Sequence, residues 1–142
     1  MAKNTITKLD ESQYVEEVQT LDKMRKMAEK QNAEVVESTD TTLLLDIDSL
    51  PAKAQYNDVR GILSSKLPRL FGPQSGDISW PSKSGNEHIV VHLKTPIGAS
   101  ERIAFQAILG SDGKREALNL ARIKKQGLGN EAIVLFRPKA RT

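Results

Sequence analysis

Apolar residues recur along this chain in two rhythms, one of three or four positions and one of two. After nine residues expected to be flexible, Tyr14, Val18, Leu21, Met24 and Ala28 return every three or four positions with Glu and Lys between them, which predicts an amphipathic helix from about Asp10 to Gln31. Its apolar stripe is narrow, so it either docks on its own domain or pairs with a second copy in a homo-oligomer. A β segment at Glu34–Glu37 precedes a polar turn, and Thr42-Leu43-Leu44-Leu45-Asp46-Ile47-Asp48 then reads as a buried strand that ends in two carboxylates. Pro51 suits the first turn of a helix over about Ala52–Leu67, with Val59, Ile62, Leu63 and Leu67 inside and Arg60 and Lys66 outside. Asp77–Trp80 and Glu87–Leu93 form a hairpin around a Ser-Gly turn. Two helices, Ser100–Leu109 and Lys114–Lys125, flank the break Gly110-Ser111-Asp112-Gly113, and Ala132–Phe136 is a last strand.

After the N-terminal helix the order is strand, helix, strand, strand, broken helix, strand. This order predicts an α+β fold of the ferredoxin-like or RNA-recognition-motif kind, a split β-α-β antiparallel sheet with helices on one face. Residues 1–33 are then a flexible segment and helix, and 34–142 a single domain. The topology sets the DID strand beside the Glu87–Leu93 strand. Side chains alternate across a strand, so placing Leu45, Ile47, Ile89, Val91 and Leu93 under the helices puts Asp46, Asp48, His88 and His92 together on the open face. Adjacent carboxylates repel, and a divalent cation is the usual remedy. The two histidines cannot share one ion, because four residues of strand span roughly 13 Å. That excludes the histidine-pair chelate of rolling-circle nucleases.

Composition narrows the class. No apolar run approaches the length of a membrane span and the N-terminus has no signal-peptide core, so a cytoplasmic protein with no membrane partner is expected. The absence of cysteine removes disulfides, thiolate metal sites and cysteine nucleophiles. The net charge is only +3, but it is unevenly spread. From Lys114 onward eight basic residues face only Glu116 and Glu131, which suits a polyanionic partner. Ser111 or Asp112 can cap the helix that follows, leaving Lys114 and Arg115 at an anion-attracting N-terminus.

These residues resemble a known family. A hydrophobic strand ending in Asp46-Ile47-Asp48, a helix, and a strand–turn–strand whose Ser84-Gly85 turn leads into His88 look like the palm of archaeo-eukaryotic-type primases and primase-polymerases. The resemblance spans about residues 41–137. It implies that Asp46 and Asp48 bind Mg²⁺ or Mn²⁺, with Asp112 as a third metal carboxylate. It also implies that Ser84 and His88 contact nucleotide phosphates, with Lys83 as a nearby contact, and that the chain is a small palm of the phage or plasmid kind. Two functions follow. One is metal-dependent nucleotidyl transfer in DNA replication, with Asp46, Asp48 and His88 catalytic and Lys83, Ser84, His88, Lys114 and Arg115 on the nucleotide. The other is a non-catalytic module that binds nucleic acid through Arg122, Lys124, Lys125 and Arg137, or another protein, and self-associates through its first helix. With aromatics at 4% and none in the DID or His88 strands, phosphate contacts would have to carry nucleic-acid binding.

Overall fold

A computed structural model of the chain describes residues 21–82, 84–126 and 134–139. The expectations that rest on Tyr14, Val18 and Lys83, and on the side chain of Lys125, lie outside the described residues. The elements are α1 (Leu21–Lys30), β1 (Ala33–Glu37), β2 (Thr42–Ile47), α2 (Leu50–Lys66), β3 (Ile78–Pro81), β4 (Glu87–His92), α3 (Ala99–Ile108), α4 (Gly113–Gln126) and β5 (Val134–Pro138). The fold is mixed α+β, with antiparallel sheets, and no described helix is long and apolar enough to cross a membrane.

Local signals behave as the pattern predicts. Ser49 accepts a hydrogen bond from the Ala52 N–H and caps α2, with Pro51 in the first turn. Gly85 takes a positive φ of 93° in the β3–β4 turn, a conformation that costs glycine nothing. The three-stranded sheet has the order β2-β4-β3, so the DID strand and the histidine strand are neighbours as expected. Their register sets Asp46 directly opposite His88.

The last strand departs from the expectation. A split β-α-β sheet would place β5 on the free edge of β2; instead β5 pairs with β1 in a separate two-stranded sheet. The free edge of β2 is closed by side chains. The Leu44 N–H donates to Gln106 Oε1 at 2.9 Å, the Asp46 N–H to Ser111 Oγ at 3.0 Å, and Arg115 Nη1 donates to the Leu44 carbonyl at 3.1 Å. Buried backbone groups need partners, and side chains of α3, α4 and the link between them supply what a fourth strand would have supplied.

The second departure is burial of both sheet faces. Leu43, Leu45, Ile47, Ile89, Val91 and Leu93 pack with Tyr56, Phe71 and Leu109 into one core, which is the face assigned to the helices. The opposite face is not open. Leu44 and Val90 are buried there against Ile103 and Leu135, with Val36, Trp80 and Ile123 packed around them. The β1–β5 sheet, α3 and α4 cover the middle of this face, while Asp46 and His88 at one end stay partly accessible and His92 at the other is exposed.

Arg60, expected outside, is 1% exposed. Its Nε and Nη2 bind Asp77 at 2.8 and 3.0 Å, Nη1 binds Ser64 Oγ at 2.6 Å, and Nη2 also reaches the Gly72 and Pro73 carbonyls. Asp77 further accepts from the Tyr56 hydroxyl. A guanidinium whose three nitrogens all donate, two of them to one carboxylate, tolerates burial that a lone charge would not.

Candidate functional site

The site lies where β2 ends. Asp46 holds two sets of contacts. Its backbone is fixed by the α3–α4 link, with the N–H on Ser111 Oγ and the carbonyl accepting the Asp112 N–H at 2.8 Å. Its carboxylate faces β4, where Oδ1 lies 3.4 Å from His88 Nε2 and accepts from Asn86 Nδ2 at 3.3 Å. Burial works to raise the Asp46 carboxyl, but the hydrogen bond and charge of His88, together with Arg115 and Asn86, outweigh it and hold the group below its ordinary value.

His88 is a bridge between the two sheets. Its Nδ1 lies 3.1 Å from the Phe136 carbonyl on β5, and its ring meets Trp80 edge-on at 5.8 Å between centroids. Trp80 Nε1 donates to the same carbonyl at 2.9 Å, and the Arg137 guanidinium sits 5.3 Å from the Trp80 ring centroid. Both ring nitrogens of His88 face acceptors, an arrangement that the imidazolium form satisfies at both ends.

Behind Asp46 stands an acid that the sequence reading did not assign. Glu116, 3% exposed, accepts from Gln106 Nε2 at 2.7 Å, Ser111 Oγ at 2.6 Å, Arg115 Nη1 at 2.8 Å and Asn119 Nδ2 at 3.1 Å. Ser111 thus passes the hold of Glu116 on to the Asp46 backbone. A faint signal existed, since Glu116 is the lone acid among the basic residues of α4. Asn86 and the Phe136 carbonyl carried no signal, because their roles depend on strand pairing.

The candidate residues divide accordingly. Asp46, His88 and Asp112 come together, the last through its backbone, while its carboxylate oxygen Oδ1 accepts the Lys114 N–H as an α4 cap. Asp48 is exposed beyond the end of β2. Ser84 is exposed in the turn and hydrogen-bonds to Ser82 at 3.1 Å. Lys114 is exposed at the start of α4. Arg115 and Arg122 do not present the free surface cations expected of them. Arg115 is drawn inward by Glu116 and the Leu44 carbonyl, and Arg122 is 5% exposed, where burial lowers its guanidinium from the ordinary value. Lys124 and Arg137 remain exposed. His92 lies at the opposite end of the strand pair, across from Thr42.

Hard carboxylate oxygens suit Mg²⁺ or Mn²⁺, and Mg²⁺ is commonly held by one or two carboxylates with water and substrate phosphates completing its shell. Among the described residues no group of three or more His, Cys, Asp or Glu side chains is placed to hold an ion. The donors available are Asp48 and the Asp46 Oδ2, since Oδ1 is shared by His88 and Asn86. That set fits a cation delivered with a phosphate ligand better than a resident one.

No family model, curated protein or solved structure matches this chain.

Proposed function

We propose that this protein acts on nucleotides or nucleic acid at the Asp46–His88 corner, as a small palm-like unit that takes a phosphate group together with Mg²⁺ or Mn²⁺. The observation that carries the reading is convergence. Three separate segments (the end of β2, the start of β4 and the α3–α4 link) deliver Asp46, Asn86, His88 and Asp112 to one point, joined through contacts of 2.8 to 3.4 Å to Asp46. Acid and base set side by side at a partly exposed strand end match a ligand that carries both a cation and an anionic group.

The chain's own residues would divide the work. Asp46 Oδ2 and Asp48 would hold the cation, which supplies charge neutralisation to the phosphoryl group. His88, released from Asp46 as the carboxylate turns to the cation, would donate to a phosphate oxygen while Phe136 keeps the ring oriented through Nδ1. Lys114 at the start of α4 lies on the backbone segment bonded to Asp46 and would add a second anion contact.

A non-catalytic nucleic-acid module is the second reading, and a specific observation favours it. The Asp46 Oδ1 already has partners within the protein, so half of the carboxylate is engaged without any ligand. Titration with Mn²⁺ and a labelled nucleoside triphosphate separates the two. Cation-dependent binding in the wild type that is lost in Asp46→Asn/Asp48→Asn supports the corner as a nucleotide site. Binding that ignores both the cation and the double substitution overturns it.

A further inference from the structure

A cleft of about 270 Å³ is lined by Gln31, Ala33, Pro81, Ser82, Phe136 and Pro138. Its walls come from the end of β3, the end of β5 and the α1–β1 link. Among the described residues the lining is two prolines, a phenylalanine and an alanine, with one glutamine and one serine. Cations adjoin the lining residues along the chain. Arg137 is exposed above Trp80, Lys139 is exposed and tied by its N–H to the Asn32 carbonyl at 3.1 Å, and Lys30 is exposed beside Gln31. Two acids lie near. Glu34 stands opposite Arg137 in the β1–β5 register, and Glu87, opposite Pro81, is paired with Lys53 at 2.7 Å.

We infer that this cleft receives one unpaired base of a single-stranded nucleic acid, with the flanking phosphates on Arg137 and Lys139. The inference rests on the nucleic-acid reading above and extends it to a second, metal-independent contact. Small-molecule sites commonly measure ~300–1,000 Å³, so this cleft suits one ring system and not a whole nucleotide. An aromatic face such as that of Phe136 accepts any base, and Gln31 and Ser82 offer a donor and an acceptor to a base edge. A base can enter only if it is unstacked and unpaired, which selects single strands over duplex. The cations that neighbour the lining residues along the chain favour a polyanion over an aromatic peptide.

The chain's single tryptophan is a built-in reporter, because Trp80 bonds to the Phe136 carbonyl and touches Arg137. The full-length protein would be titrated at low salt with a labelled oligothymidylate. Anisotropy would report affinity and Trp80 emission would report location, with and without chelator. The expected result is binding that weakens steeply with salt, changes Trp80 emission and persists in chelator. Ser82→Phe, which fills the cleft from a half-buried position, and Arg137→Glu should each weaken binding about tenfold or more. Lys66→Glu makes the same charge change on α2 and should have a far smaller effect. Thermal melts of each variant confirm the fold. Absence of oligonucleotide binding overturns the inference, as does equal weakening by Lys66→Glu and Arg137→Glu. Binding abolished by chelator also overturns it and assigns the strand to the Asp46 corner. Chelator-resistant binding alongside a failed Mn²⁺–nucleotide titration keeps the cleft and discards the corner.

Discussion

Two acid–base pairs in this molecule have similar chemistry and opposite surroundings. Arg60 and Asp77 are 1% and 5% exposed and meet through two hydrogen bonds, and Ser64, Tyr56 and two backbone carbonyls add further ones. Asp46 and His88 are 17% and 13% exposed, meet through one contact of 3.4 Å, and leave the second Asp46 oxygen without a partner among the described residues. The first pair is densely bonded and almost fully buried, so its consequence is structural: it ties α2 to the strand entry at Asp77. The second is incomplete and reachable. Charge that is partly satisfied at the surface is where a ligand gains most by replacing an existing contact, which is why the Asp46 corner and not the Arg60 cluster is the candidate site.

Substitutions can break this contrast, and the largest effect belongs to the sealed pair. Arg60→Ala leaves the Asp77 carboxylate buried without its partner and should lower unfolding free energy by about 3–5 kcal/mol in denaturant titration. A loss below about 1 kcal/mol would mean that the cluster is not sealed. Glu116→Ala comes next. It strands the Gln106, Ser111 and Asn119 donors, each worth about 1–3 kcal/mol when buried unpaired though not additively, and a net loss of about 3 kcal/mol is expected. Because Ser111 and Arg115 close the edge of β2, hydrogen exchange at the Leu44 and Asp46 amides should accelerate more than at β4 amides. Uniform acceleration would argue against a specific role for Glu116 at that edge.

Gly110→Ala tests the α3–α4 link itself. Gly110 has a φ of 94°, and a Cβ there would stand 2.6 Å from the Ala52 carbonyl oxygen, so about 2 kcal/mol of destabilisation is expected. Neutral behaviour in a thermal melt would show that the link can move away from α2. The smallest effect on stability is expected at the candidate site. Asp46→Asn should change stability at neutral pH by less than about 1 kcal/mol, as for other partly exposed pairs, while removing cation-dependent nucleotide binding. Its signature is the pH dependence. The folded carboxyl titrates below its ordinary value of 3.8, so its contribution is present above that pH and is lost as pH falls through the lower folded value. The acid limb of the stability curve should therefore flatten in Asp46→Asn, and an unchanged limb would remove Asp46 from the set of carboxylates stabilised by folding.

The legible part of the fold was the local part. The alternation of Leu43, Leu45 and Ile47 against Asp46, and of Ile89 and Val91 against His88, requires one face of each strand to be buried, and the burial of these leucines, isoleucines and valine follows it. The hydrophobic phase puts Asp46 and His88 on one face, while the β2–β4 register that sets them opposite each other is a long-range pairing. Pro51, Ser49 and Gly85 act within a few residues of themselves, so their effects could be read without knowing the rest of the chain.

What the sequence could not determine is the set of partners chosen at long range. β5 alternates in a way that suits either the edge of β2 or that of β1, and nothing local distinguishes them. Its place beside β1 became a tertiary outcome once Gln106, Ser111 and Arg115 had satisfied the β2 edge. The same event buried the face expected to be open, turned Arg115 from a phosphate contact into a backbone clamp, and set Glu116 behind Asp46. Arg60 was misplaced for the same reason, since a charged residue reads as exposed until the acid that neutralises it, Asp77, is seen to arrive from another segment. The sequence alone determined which strand carries the acids and which carries the histidine. Only the tertiary structure decided that Phe136 would orient that histidine and that Glu116 would brace that strand, because hydrogen-bond partners distant in sequence leave no periodic trace.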